Sequence, residues 1–253
     1  MSIGEHLEEL RRRLGRCVLA LLVTFFVCLS FRNEISNVIM GPHRVAAAAL
    51  AEEGIHMPVS LQALSYQEPV FYYLRMGLFG ALFLSSPVIL WQMWAFIGAG
   101  LYRKERRVVL RFVPLSLVLL AGAVSFGYFV FIPFGLRMLT MMSEDLIREG
   151  LLTYTPKLAE YFSLFISLTL ALGIVFQIPV VMQVLSRVGM VGPGAWKAGR
   201  RYFIAGAFLL AAILTPPDVV TQVMMGIPML LLYELGVWLS VLADRKRTRE
   251  AVA

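Results

Sequence analysis

Charge is scarce in this chain of 253 residues: 15% are Asp, Glu, Lys or Arg, against 59% hydrophobic residues. A soluble domain carries roughly a quarter charged residues, so a water-exposed globule is excluded at the outset. Cysteine is nearly absent. Cys17 and Cys28 lie in one apolar run without CxxC spacing or a histidine close by, which argues against a redox motif or zinc set. The three histidines, His6, His43 and His56, show no HExxH spacing, and GxSxG, P-loop and Gly-rich dinucleotide motifs are missing. No enzymatic activity and no metal or organic cofactor is expected. Repeats with a period of roughly 20–50 residues are also lacking, which counts against many secondary-transporter folds.

What the chain does have is long apolar sequence, with a mean hydropathy of +0.76. The runs predict an all-α polytopic membrane protein with six transmembrane helices, at about 14–31, 70–91, 112–134, 161–185, 202–214 and 219–242. All six fall in a single transmembrane domain, 1–253. A helix needs ~20 residues to cross ~30 Å of hydrocarbon at 1.5 Å per residue. The run 202–214 falls short of that, at about 20 Å, and the last run is interrupted by Pro228 and Glu234. Between these two stands Thr215-Pro216-Pro217-Asp218. The prolines lack N–H donors and end one helix, and Asp218 can cap the next. A tight hairpin of two short spans is expected, accommodated by tilt or local thinning of the bilayer. Before the second run, Val45–Ala51 predicts a short surface helix that stops near Gly54.

The basic residues set the orientation. Seventeen of the 23 fall in four clusters on one side of a six-span arrangement: near Arg11–Arg16, Arg103–Arg111, Arg187–Arg201 and Arg245–Arg249. Arg32, Arg44, Arg75, Arg137, Arg148 and Lys157 fall on the other. Basic loops remain in the cytoplasm, so both termini are expected there, in the cytoplasmic (inner) membrane. Such placement also explains the net charge of +7 without nucleic acid. Glu5, Glu8 and Glu9 make a poor signal-peptide n-region, so the first span is expected to be retained.

Few polar residues stand out as candidates for recognition. His6–Leu14 reads as an amphipathic helix with Leu7, Leu10 and Leu14 on one face; Glu9 is placed to pair with Arg13 at i,i+4. This segment is either an interfacial lead-in or part of a binding site. Glu105 sits among Arg103, Lys104, Arg106 and Arg107, in a loop that is either topogenic or arranged to offer a carboxylate to a cationic ligand. Gln177 precedes Pro179, which frees the carbonyl of Val175; the amide either satisfies backbone, bridges helices or serves transport. Glu234 is the acid that lies well inside an apolar run, and intramembrane ionisable groups are functional candidates by default.

Several segments together resemble the TatC family, the multispanning receptor subunit of the twin-arginine protein translocase. They are His6-Leu7-Glu8-Glu9-Leu10-Arg11, Ser86 to Phe96 (SPVILWQMWAF), Leu101-Tyr102-Arg103-Lys104-Glu105-Arg106-Arg107, Phe126-Gly127-Tyr128-Phe129-Val130, and Leu214-Thr215-Pro216-Pro217-Asp218 with Gln222. The resemblance covers residues 6 to about 242. It implies a cup-shaped bundle with short fifth and sixth helices. It also implies a receptor for signal peptides with two adjacent arginines, acting with TatA- and TatB-like single-span subunits in an oligomer. Folded cargo would be exported on the protonmotive force. By position, the signal-peptide-binding residues are Glu9 and Glu105, with Arg11 and Phe96. Residues implied in structure or translocation are Pro42, Tyr128, Pro216, Pro217, Asp218 and Gln222, beside Gln177 and Glu234 from the reading above.

This sequence departs from the family pattern at Gln177, where the family often has Glu, and near Ala99, where a common Pro is absent. The residue chemistry agrees with the resemblance. A carboxylate grips a guanidinium bidentately in a geometry that lysine cannot copy. Two ligand arginines call for two carboxylates on a face that otherwise repels cations. The alternative is a small-solute or ion transporter, with Gln177, Glu234 and the proline breaks lining its pathway.

Overall fold

The computed structural model describes residues 3–100, 109–151, 155–215 and 218–252, with side chains described up to residue 242. It is 84% helical, and no β-strand occurs among the described residues. The helices are α1 (Ile3–Ser30), α2 (Arg32–Ile39), α3 (Gly41–Glu52), α4 (Glu68–Leu84), α5 (Ser86–Ala99), α6 (Val113–Phe126), α7 (Ile132–Met141), α8 (Glu144–Arg148), α9 (Leu158–Val175), α10 (Ile178–Val188), α11 (Pro193–Leu214) and α12 (Val219–Val252). A π-helical turn, Gly127–Phe131, joins α6 to α7.

Among the described residues, four segments are long and apolar enough to cross a membrane: Gly4–Ser30, Val113–Met141, Leu158–Val188 and Val219–Leu242. The pair α4 and α5 qualifies jointly but bends by 57° at Ser85. Three apolar runs that read as single helices are thus jointed. In each, the second helix carries a proline in its first turn: Pro87 in α5, Pro133 in α7 and Pro179 in α10. Proline fits that position because its missing N–H would have no helical acceptor there. The run 70–91 holds two helices, 112–134 two helices and a π turn, and 161–185 two helices meeting at Phe176-Gln177. Pro228, by contrast, is absorbed inside α12.

The fifth and sixth helices are themselves long, with 22 residues in α11 and 34 in α12. Only the apolar stretch 202–214 of α11 is short. Polar turns holding Lys197, Arg200 and Arg201 extend that helix at its start, and residues 243–252 extend α12 at its end. The alanine-rich helix expected at Val45–Ala51 lies within α3 and ends before Gly54, whose φ of +80° is the left-handed conformation glycine tolerates. It is more than a surface helix: Ala46, Ala47 and Leu50 are buried, and α3 packs on α7.

Two compact units emerge from the packing. The first, comprising Met1–Leu21, Ser85–Ala123 and Gly173–Ala253, has one core of Leu90, Trp94, Val109, Val113, Val180 and Val184. A second core in this unit joins Met182, Tyr233 and Val237. The second unit, Leu22–Leu84 and Val124–Leu172, is centred on Ala47, Leu50, Ile55 and Met57. In this unit Gln62 and Lys157 form an isolated parallel bridge, with Leu158 N–H donating to the Gln62 carbonyl at 3.0 Å. Large apolar side chains along α1, including Leu14, Val18, Leu19, Leu22 and Phe26, face outward. Lipid is the solvent such a surface suits, because the helix satisfies its own backbone.

Candidate functional site

Glu9 sits two turns into α1, with its side chain 10% exposed. One of its oxygens accepts from the Arg13 Nε at 2.8 Å and from the Arg13 Nη2, while the Arg13 Nη1 donates at 3.0 Å to the Gln92 amide oxygen on α5. Its other oxygen accepts from Arg12. Arg13 is buried, whereas the Arg12 side chain is 63% exposed. The i,i+4 pairing of Glu9 with Arg13 is the one the spacing predicts. Its continuation to Gln92, which locks the guanidinium in place, has no signal in the helical spacing. A polar residue within the apolar segment 86–96 was the available clue. One turn before Glu9, the His6 ring stacks on Phe96 with centroids 4.5 Å apart. The structure thus brings Glu9, Arg13, Gln92, His6 and Phe96 to a single α1–α5 seam. Arg11 is not part of it: its guanidinium is exposed, at a loose 3.9 Å from Glu8. Glu105 lies outside the described residues.

Pro42 and Tyr128 meet at a different place. Pro42 opens α3 and is buried. The π turn aims Tyr128 at the end of α2, where its hydroxyl donates to the Val38 carbonyl at 2.8 Å. Tyr161 donates to the next carbonyl, Ile39, at 2.5 Å, and Ser36 and Tyr72 share a hydrogen bond of 2.8 Å. Helix ends leave carbonyls without partners, and tyrosines supply them for α2 here. A Cβ on Gly41 would overlap the Tyr128 hydroxyl, so any larger residue here must displace that tyrosine. Beside it the His43 ring is buried, with Nε2 donating to the Pro58 carbonyl at 3.1 Å and Nδ1 left without a partner among the described residues. Burial holds the His43 imidazole below its ordinary pKa.

Gln177 occupies the joint between α9 and α10. Its Nε2 donates to the Ser116 carbonyl on α6 at 3.1 Å, and the Ser116 hydroxyl accepts from the Trp94 indole at 2.9 Å. Of the roles open from sequence, this geometry is the bridge between helices. A glutamate here would supply that donor only when protonated.

The remaining candidates gather at the α11–α12 hairpin. Asp218 accepts from the Thr221 N–H at 2.7 Å and also bonds the Thr221 hydroxyl, capping α12. Gln222 reaches back to donate to the Phe208 carbonyl of α11 at 3.0 Å. Glu234 pairs with Arg200 at 2.6 Å, both about half exposed, which compensates its charge. Pro216 and Pro217 lie outside the described residues. Among the described residues no His, Cys, Asp or Glu cluster is arranged to hold a metal ion.

The chain can be set against known proteins with this geometry in view. The family profile of "Sec-independent protein translocase protein (TatC)" matches residues 5–228. The Sec-independent protein translocase protein TatCy of Bacillus subtilis is 32% identical over 100% of this chain and 94% of its own length. The TatC of Aquifex aeolicus is 35% identical, covering 98% of each. A crystal structure of the twin-arginine translocase receptor TatC in DDM superposes with a TM-score of 0.78 at 33% identity, over 93% of this chain and 99% of that one. On these matches the chain belongs to the TatC family.

Proposed function

We propose that this protein is the signal-peptide receptor and core subunit of a twin-arginine translocase, exporting folded proteins across the cytoplasmic membrane on the protonmotive force. TatC is a translocase family rather than an enzyme family. The proposal includes a single transmembrane domain, 1–253, crossed six times by the segments about 14–31, 70–91, 112–134, 161–185, 202–214 and 219–242. Both termini would lie in the cytoplasm, and partners would be TatA- and TatB-like single-span subunits in an oligomer. Nothing in the relatives or the fold supports a small-solute transporter.

The observation that carries the recognition step is the seam around Glu9. A carboxylate held by a buried arginine, itself anchored by Gln92, presents its second oxygen through an exposed and therefore weak pair with Arg12. An arriving guanidinium can take the place of Arg12 without disturbing Arg13. Glu105 would take the second arginine of the ligand, with Arg11 and Phe96 flanking. Pro42, Tyr128, Gln177, Pro216, Pro217, Asp218, Gln222 and Glu234 would hold the geometry or serve translocation.

The test is affinity for a twin-arginine signal peptide and its Lys-Lys variant, measured on solubilised wild type, Glu9→Ala, Glu105→Ala and the double mutant. Losing a charge-assisted hydrogen bond costs about 1.5–3 kcal/mol, roughly ten- to hundredfold in affinity, and Glu105→Ala is expected to lose that much. Glu9→Ala is expected to be milder. A double mutant that keeps the wild-type preference for Arg-Arg would refute the assignment.

A further inference from the structure

The second unit holds a cavity of about 300 Å³ between the start of α4 and the start of α9, which recognition of a signal peptide does not use. Glu68, Phe71, Tyr72 and Arg75 line it from α4, at the i, i+3, i+4 and i+7 positions of one helix face; Gln67 and Phe162 help close it. Arg75 lies two turns into α4, which jointly with α5 is apolar enough to cross a membrane. Its side chain is exposed and makes neither an ion pair nor a hydrogen bond among the described residues. A guanidinium at that depth calls for an anion, and in a bilayer the abundant anion is a lipid phosphate.

The carboxylate at the same cavity narrows the choice. Glu68 accepts the N–H groups of Leu64 at 2.6 Å and of Ala159 at 2.9 Å, one on each oxygen. The Ser65 N–H and the charge of Lys157 also act on this carboxylate, whose four lone-pair positions still leave room for a ligand donor. The cavity thus presents one cation and one anion from backbone positions about 10 Å apart along α4, by seven residues of helical rise. We propose that this cavity binds the headgroup of a zwitterionic phospholipid, with Arg75 on the phosphate and Glu68 on the ammonium. The aromatic rings of Phe71 and Tyr72, which stand between the two charges on the helix face, would flank the linker from ammonium to phosphate. The orientation proposed above makes this the outer leaflet; the site itself does not depend on that reading.

Native mass spectrometry of the full chain in detergent, with phosphatidylethanolamine or phosphatidylglycerol of matched acyl chains, tests this without any signal peptide. A failure of the receptor assignment would therefore leave this result untouched, and the reverse. Wild type is expected to retain phosphatidylethanolamine over phosphatidylglycerol, and Arg75→Gln to lose roughly tenfold in retention of both. Glu68→Gln should erase the preference between the two lipids. Because Glu68 also holds two backbone N–H groups, Arg75→Lys is included: it keeps the charge without the planar fork and should bind at an intermediate level. Inorganic phosphate at millimolar concentration should leave the lipid bound. Displacement by phosphate alone would reassign the cavity to free phosphate. Wild-type retention by Arg75→Gln, or equal binding of both lipids by wild type, would overturn the proposal.

Discussion

At the residue scale, Glu9 meets any guanidinium while already holding two of its own. The two are unequal: Arg13 is buried and tied to Gln92, and Arg12 is largely in solvent. Exposed pairs of this kind contribute about 0–1 kcal/mol. Removing Arg12 therefore frees an oxygen at little cost, and Arg12→Gln is expected to tighten signal-peptide binding by up to about fivefold. Gln92→Leu should do the reverse, because it unties the arginine that aims Glu9; isothermal titration of one peptide against both variants checks the opposite signs. His43 offers a test on another face. Its folded-state pKa lies below the ordinary value of 6.5, so the unfolded chain binds more protons as pH falls. Its contribution is complete above 6.5 and is lost as pH drops toward the depressed value. The thermal midpoint of wild type should accordingly fall more between pH 7.5 and 5 than that of His43→Gln. An equal fall in both would show that His43 is not the group responsible.

At the scale of elements, the joints matter most, and they differ in how far the sequence betrays them. The break at Gln177 is foreshadowed by a polar amide two positions before Pro179. The breaks at Ser85 and at Gly127–Phe131 fall in uninterrupted apolar sequence. Periodicity has no polar face to follow there, and Pro87 and Pro133 can equally open a helix or sit within a kinked one. A π turn has no compositional signature at all, yet it is what brings Tyr128 to the Val38 carbonyl. Two substitutions probe this contact. Tyr128→Phe removes one hydrogen bond at an estimated 0.5–1.5 kcal/mol. Gly41→Ala puts a methyl group where the hydroxyl lies and should cost more. Denaturation of the purified protein should rank them in that order, and a neutral Gly41→Ala would mean that the elbow can shift to make room.

For the molecule as a whole, the charge bias is the most legible property, because it needs no packing to be read. Reporter fusions within 32–69 and 136–160 and near Asp218 are expected to be external, and those after Arg107, Trp196 and Ala253 cytoplasmic. An external C-terminus would overturn the six-span topology. Helix content and the broad positions of the apolar runs could likewise be read directly. The site could be read only in part. Sequence spacing linked Glu9 to Arg13 but gave no sign of Gln92, since the contact spans 79 positions and depends on how α1 meets α5. Side-chain partners at long range are set by packing, which periodicity does not encode.

The joints also bear on water. A straight helix in hydrocarbon shields each amide twice, by its own ladder and by the lipid around it. At Ser85, at the π turn and at Phe176-Gln177 the ladder changes register, and the carbonyl of Val175 has no N–H to receive from Pro179. Isotope exchange follows local opening, and opening is easiest where a ladder is already interrupted. Deuterium is therefore expected to enter these three jointed segments part-way along their length, and α1, which has no joint, from its ends; mass spectrometry of exchanged peptides checks this.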